Sequence, residues 1–182
     1  MGQKPDTSTR RLADIAQRFD NAILVTRNDS APVGLHGRPM SIAKVDGDAD
    51  LWFITAVDAP KSRELEAHPE ALVTLQGPST YVVLQGIARV SQDRAKIDEL
   101  WDKTYEVWFP NGKDDPDVAV VHVTISAGEF WDLRPAKRAK YLWEATKAWF
   151  RHDTPKDLGG IHGTVKQEQA PTSAIPSSAA SR

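Results

Sequence analysis

Residues Tyr81 to Val90 alternate more cleanly than any other stretch. Val82, Leu84, Ala88 and Val90 fall on one side of an extended chain, and Tyr81, Val83, Gln85, Ile87 and Arg89 on the other. That period predicts a strand, and Gly86 in its middle predicts a bulge or a sharp bend. Bends of this kind curl a sheet toward a barrel, so the rest of the chain has to supply neighbouring strands. Ala22–Arg27, Leu51–Thr55 and Ala71–Leu75 are short, β-branched or aromatic runs that qualify.

The links between these runs are short. Asn28-Asp29-Ser30, Asp46-Gly47-Asp48 and Gly77-Pro78-Ser79 carry turn chemistry, and no long alternation of strand and helix occurs. The fold class expected is therefore mainly β with flanking helices, a mostly antiparallel barrel of six or seven strands. Leu12, Ile15, Ala16 and Phe19 predict a first helix capped by Ser8 or Thr9. Pro60 predicts a helix start closed by His68-Pro69, and Asp93 predicts the cap of a helix whose stripe runs through Ile97, Leu100, Trp101, Thr104 and Trp108. Val118–Ile125 and Glu129–Leu133 read as a hairpin around Ser126-Ala127-Gly128, and Lys137–Phe150 as a last helix. The domain is expected over residues 10–151, between a polar leader (1–9) and a polar, Ala/Ser/Pro-rich, partly disordered tail (152–182).

A net charge of −2 gives no global field for nucleic acid or an anionic membrane, so any anion site has to be local. With no cysteine, disulfides, a thiolate nucleophile and a Cys-type zinc site are excluded. The amino terminus lacks the apolar core of a secretory signal, and no run is long enough to span a bilayer, which points to a cytoplasmic protein. His36, His68, His122, His152 and His162 lack metal-ligand spacing, and Asp114, Asp115 and Asp117 read as a solvated turn rather than a calcium loop.

The local anion site is expected from two stretches. In Gly34–Ser41, Pro39 cannot donate to a ladder and biases its predecessor toward extended backbone, so Arg38 is expected to stand out from a locally unpaired strand. Lys61 and Ser62 follow Pro60 at the helix start, where first-turn amides lack partners. A guanidinium, an ammonium, a hydroxyl and free amides together suit a phosphate dianion.

These pieces, in order, resemble the FMN-binding split-barrel family of the pyridoxamine 5'-phosphate oxidases, in its general stress protein branch. The resemblance is carried by Arg38-Pro39-Met40, Leu51–Thr55 with Lys61 following, Val83–Ala88, Trp108–Pro116 and Glu129–Asp132. It implies FMN held at a homodimer interface, with the phosphate on Arg38 and Lys61. The ring edge would be met by the backbone of Pro39, Met40 and Ser41 and by Ile54 and Thr55, with Ser62 near the phosphate. Gln85, Trp108 and Trp131 would approach from the same or the partner subunit. The chain departs from the oxidases at Ala59 and Pro60, where they carry Ser and Arg, and lacks their C-terminal His and Arg set, so vitamin oxidation is not expected. The implied function is FMN binding, with flavin-dependent oxidation or reduction of a small-molecule donor or acceptor. A non-catalytic carrier or sensor, or the same barrel holding haem, F420 or nothing, are the alternatives. No side-chain acid or base is nominated as catalytic, and no metal is expected.

Overall fold

The computed structural model describes residues 7–132 and 162–166. In chain order the elements are α1 (Thr7–Ala16), β1 (Asn21–Arg27), β2 (Leu35–Ser41), β3 (Lys44–Val45), β4 (Leu51–Ala56), α2 (Pro60–Ala67), β5 (Glu70–Gln76), β6 (Thr80–Ser91), α3 (Arg94–Leu100), two 3₁₀ turns (Lys103–Val107 and Gly112–Asp114), β7 (Val118–Asp132) and β8 (His162–Lys166). All strands join one antiparallel sheet in the order β2-β1-β5-β6-β7-β4-β3, with β8 added to β7. The sheet curls until β2 reaches β4, which gives a split barrel.

The long strand β6 runs the length of β7, from Thr80 opposite Asp132 to Ser91 opposite Val120. The register slips once, because Gln85 faces Ala127 while Gly86 faces Ile125, so Ser126 is the extra residue of a bulge. Gly86 marks the right place, but the inserted residue lies on the opposite strand. A Cβ on Gly86 would sit 2.1 Å from the Thr124 carbonyl oxygen, which only a glycine avoids. The bulge also divides the far edge of β7: Val118–Val123 pair with β4, and Ala127–Trp131 pair with β8.

The predicted hairpin at Ser126-Ala127-Gly128 is therefore replaced by one fifteen-residue strand. Gly128 is not a turn residue. A Cβ there would meet Leu12 at 2.6 Å, so it serves the packing of α1 on the sheet. Four further expectations change. Ser8 and Thr9 lie inside α1 rather than capping it. The helix begun at Asp93 stops at Leu100, because Trp101 is extended and Asp102 caps a separate 3₁₀ turn. Asp115 is buried, not solvated, and its carboxylate accepts from the Asp117 amide and the Asn111 side chain. His162–Lys166, inside the expected tail, form β8. The helix expected over 137–150 lies outside the described residues.

The inner face packs Leu24, Leu51, Phe53, Val73, Leu84 and Ile125 against Leu12 and Ile15 of α1, all essentially inaccessible. A second cluster covers the other side of β4 and β7, where Ile54, Val118 and Val120 meet Ile97 and Leu100 of α3 and Phe109. Strand β4 is thus buried on both faces, as a near-continuous apolar run requires. Each such side chain contributes about 2 kcal/mol by leaving water. Among the described residues no helix is long and apolar enough to cross a membrane.

Candidate functional site

Strand β2 is the open edge next to β1, and this settles how the sheet tolerates Pro39. The strand pairs without a break, from Leu35 opposite Arg27 to Ser41 opposite Asn21. Proline survives there because an edge strand leaves one side of its backbone unpaired. The expectation of a locally unpaired strand is corrected accordingly: Arg38 sits in register opposite Leu24 and is free only on the outer side.

Its side chain lies on the inner face and is 15% exposed. One terminal nitrogen donates to Thr26 Oγ1 at 2.8 Å, and the other to Glu64 Oε2 at 2.5 Å. The Thr26 hydroxyl in turn donates to the same Glu64 oxygen at 2.5 Å. Glu64 Oε1 accepts from Asn28 Nδ2 at 2.7 Å and lies 3.2 Å from His36 Nδ1. A carboxylate only accepts, so that imidazole nitrogen carries the proton. Four side chains from β1, β2 and the turn between them converge on one carboxylate of α2. A cleft of about 300 Å³ opens beside them, lined by Arg27, Asn28, Pro60, Arg63, Glu64 and His68.

Burial opposes ionisation of Glu64, but the Thr26, His36 and Arg38 hydrogen bonds and the Arg38 charge prevail and lower its pKa from 4.5 to about 2. The folded value lies below the ordinary one, so the stabilisation is complete above pH 4.5 and is lost as pH falls toward 2. Urea midpoints measured between pH 6 and 3 are expected to fall less steeply in Glu64→Gln than in the unaltered chain. Equal slopes would contradict this role.

Lys61 stands three residues before Glu64, on the same side of α2. It is half-buried, and among the described residues it has no ion-pair partner. Burial lowers its pKa first, and the Arg38 charge lowers it further against the opposing pull of Glu64. The Arg38 charge thus reaches Lys61, and Arg38 bonds Glu64, one turn further along the same helix. The rest of the helix start contributes less than expected. Pro60 has no N–H, and the Ser62 and Arg63 amides both bond the Ala59 carbonyl. Ser62 is fully buried and its hydroxyl donates to the Ala56 carbonyl at 2.7 Å.

The other expected residues separate by position. Thr55 is 3% exposed at the end of β4, and its Oγ1 is the one buried side-chain polar atom without a hydrogen-bond partner among the described residues. Such an atom costs roughly 1–3 kcal/mol unless something bonds it. Ile54 points the opposite way, into the α3 cluster, and Met40 fills the main core. Pro39 is opposite Ile23, and Ser41 lies 3.3 Å from Asn21. Gln85 is exposed at the bulge and lines a separate cleft of about 540 Å³ with Val25, Leu72, Ser126 and Ala127. Trp131 is opposite Tyr81 on β7, and Trp108 is 78% exposed rather than part of a buried stripe.

Glu64, Thr26 and Asn28 were not among the residues expected here. The signal available was the Lys61–Glu64 spacing, which puts an anion one turn from the lysine. Among the described residues, Asp46, Asp50 and His122 have ligand atoms within 4.8 Å of one another. Their bonding is internal: Asp50 takes His122 and the Ile125 amide, and Asp46 takes the Asp48 amide and Trp52.

A family described as pyridoxamine 5'-phosphate oxidase like matches residues 7–156. Among solved structures, a protein named for general stress protein 26 from Jannaschia sp. CCS1 is 28% identical. The match covers 87% of this chain and 98% of that one, with a TM-score of 0.66. General stress protein 26 from Bacillus anthracis str. Sterne is 18% identical over 67% and 92% of the chains, TM-score 0.59. A general stress FMN/FAD binding protein from Xanthomonas citri is 21% identical over 70% and 89%, TM-score 0.58. No curated protein matches.

Proposed function

Because the chain belongs to the pyridoxamine 5'-phosphate oxidase-like family, we propose that it is a flavin-binding protein of the general stress type that holds FMN by its phosphate between Arg38 and Lys61. The observation that carries this reading is the state of Lys61. Lys61 is half-buried with no ion-pair partner among the described residues, and burial and the Arg38 charge press it toward the neutral form against the pull of Glu64, so a further anion would favour its charged form. A phosphomonoester supplies that anion and accepts from both cations. The orphaned Thr55 hydroxyl supports the same ligand, since a flavin edge offers the donors and acceptors it lacks. The Xanthomonas citri relative, described as FMN/FAD binding, agrees.

Bound flavin supplies hydride or electron transfer, and the chain's residues bind it, orient it and exclude water. The purified protein is expected to absorb at roughly 370 and 450 nm, where oxidised flavin does. A Soret band or a colourless protein that takes up no added FMN would reject the reading. Steady oxidation of NAD(P)H with a quinone acceptor is the expected mark of an oxidoreductase, and a flavin-loaded protein without turnover would be a carrier.

The reading includes a homodimer. The outer face of the sheet exposes Ile23 (41%) on β1 and Leu35 (56%) on β2, apolar surface that a second copy would cover. Ile23→Asp is expected to shift the sedimenting species from dimer to monomer. A monomer in the unaltered protein would refute this part.

A further inference from the structure

We propose that Glu64 is the positioning residue of this anion site, locking the Arg38 guanidinium before any ligand arrives so that a phosphate meets a rigid fork. The proposal rests on reading Arg38 and Lys61 as the phosphate cradle. It goes further in assigning a role to the one carboxylate placed among those cations, where electrostatics alone would not want it.

The bonding explains why that carboxylate is retained. Its Oε2 takes Arg38 and Thr26, and its Oε1 takes Asn28 and His36, so both oxygens are saturated. Thr26 closes a three-membered ring of contacts, because its hydroxyl donates to Glu64 while accepting from Arg38. Anchors on β1, β2 and the intervening turn thus fix Glu64, and Glu64 with Thr26 fixes both ends of the guanidinium. A free arginine carries rotamer entropy that a ligand would otherwise have to remove. An arginine already immobilised spares the ligand that cost.

The guanidinium has five N–H donors, and these two contacts use two of them. Three remain for an anion. Arg38, Lys61 and Glu64 together carry one net positive charge, which still attracts a phosphate. Because four donors already hold the Glu64 carboxylate in place, it does not swing out to compete. Removing it is therefore expected to weaken phosphate binding, the opposite of what simple charge counting gives.

The test uses the full chain, labelled with ¹⁵N and free of flavin. Arg38 side-chain signals are identified by their loss in Arg38→Lys. The unaltered protein is expected to show resolved, slowly exchanging Arg38 guanidinium N–H signals, which collapse in Glu64→Gln. FMN affinity is expected to fall roughly tenfold in that variant, the size of one lost charged hydrogen bond, while riboflavin, which lacks the phosphate, binds as before. A guanidinium that stays ordered in Glu64→Gln overturns the proposal, as does an equal loss for FMN and riboflavin. Equal affinity of the unaltered protein for FMN and riboflavin instead overturns the phosphate reading, and this proposal with it. If Glu64→Gln does not fold, Thr26→Val keeps the volume, removes the hydroxyl shared by both groups, and is judged by the same two readouts.

Discussion

FMN retention is expected to fall by roughly 10²–10⁴-fold when Arg38 and Lys61 are both replaced by alanine, since each charged contact to the phosphate is worth about 1.5–3 kcal/mol. The two single variants are expected to differ in a way that identifies their roles. Arg38 neutralises Glu64, whose side chain is only 9% exposed, so Arg38→Ala leaves a buried carboxylate with fewer donors and costs stability as well as ligand. Lys61 forms no ion pair among the described residues. Lys61→Met is therefore expected to weaken FMN at least tenfold while leaving the urea midpoint unchanged or raised, because it removes a half-buried cation beside another cation. Flavin titration and urea unfolding of the same three preparations check both statements. A Lys61→Met protein that loses stability but keeps its flavin affinity would reverse the assignment.

Gly86→Ala is expected to destabilise the fold by roughly 3 kcal/mol, among the largest effects of any single methyl in this molecule. The added carbon would lie 2.1 Å from the Thr124 oxygen and 2.9 Å from its carbonyl carbon. Both are backbone atoms of β7, held in register with β6 on one side and, just beyond, with β4 on the other. No side chain can rotate away to make room, so β6 and β7 have to part at the bulge. The urea midpoint should drop sharply with little change in slope. Gly128→Ala is the contrasting case, because its nearest atoms are the ends of Leu12 and Leu84 side chains, which can shift. A milder loss is expected there.

The two glycines also show what could be read from residue order. Gly86 interrupts a clean alternation, and that pattern alone marks the place of the bend. Gly128 follows Ser126-Ala127 between two apolar runs, which is also what a turn looks like. Its real reason, the approach of α1 across the sheet, is a contact between residues 116 positions apart and leaves no local mark. The same limit explains Trp108. Helical spacing from Ile97 joins them on paper, yet Asp102 caps a new turn and ends that register.

At the site, the cations were legible because proline punctuates both stretches. Pro39 marks an edge strand and Pro60 a helix start, and each stands beside a basic residue. Glu64 was not legible, since Lys-Ser-Arg-Glu in a short helix has the composition of a solvated face. Only the curl of the sheet, which brings Thr26, Asn28, His36 and Arg38 over α2, turns that face inward. Ser62 shows the converse, because a hydroxyl suited to phosphate proves to be bonded to the Ala56 carbonyl.

A crystal structure of the protein grown with FMN tests the central claim most directly. The expected result is a phosphate within hydrogen-bond reach of both the Arg38 guanidinium and the Lys61 ammonium, with Glu64 still bonded to Arg38. Flavin bound elsewhere, with Lys61 left without an anion, would contradict it.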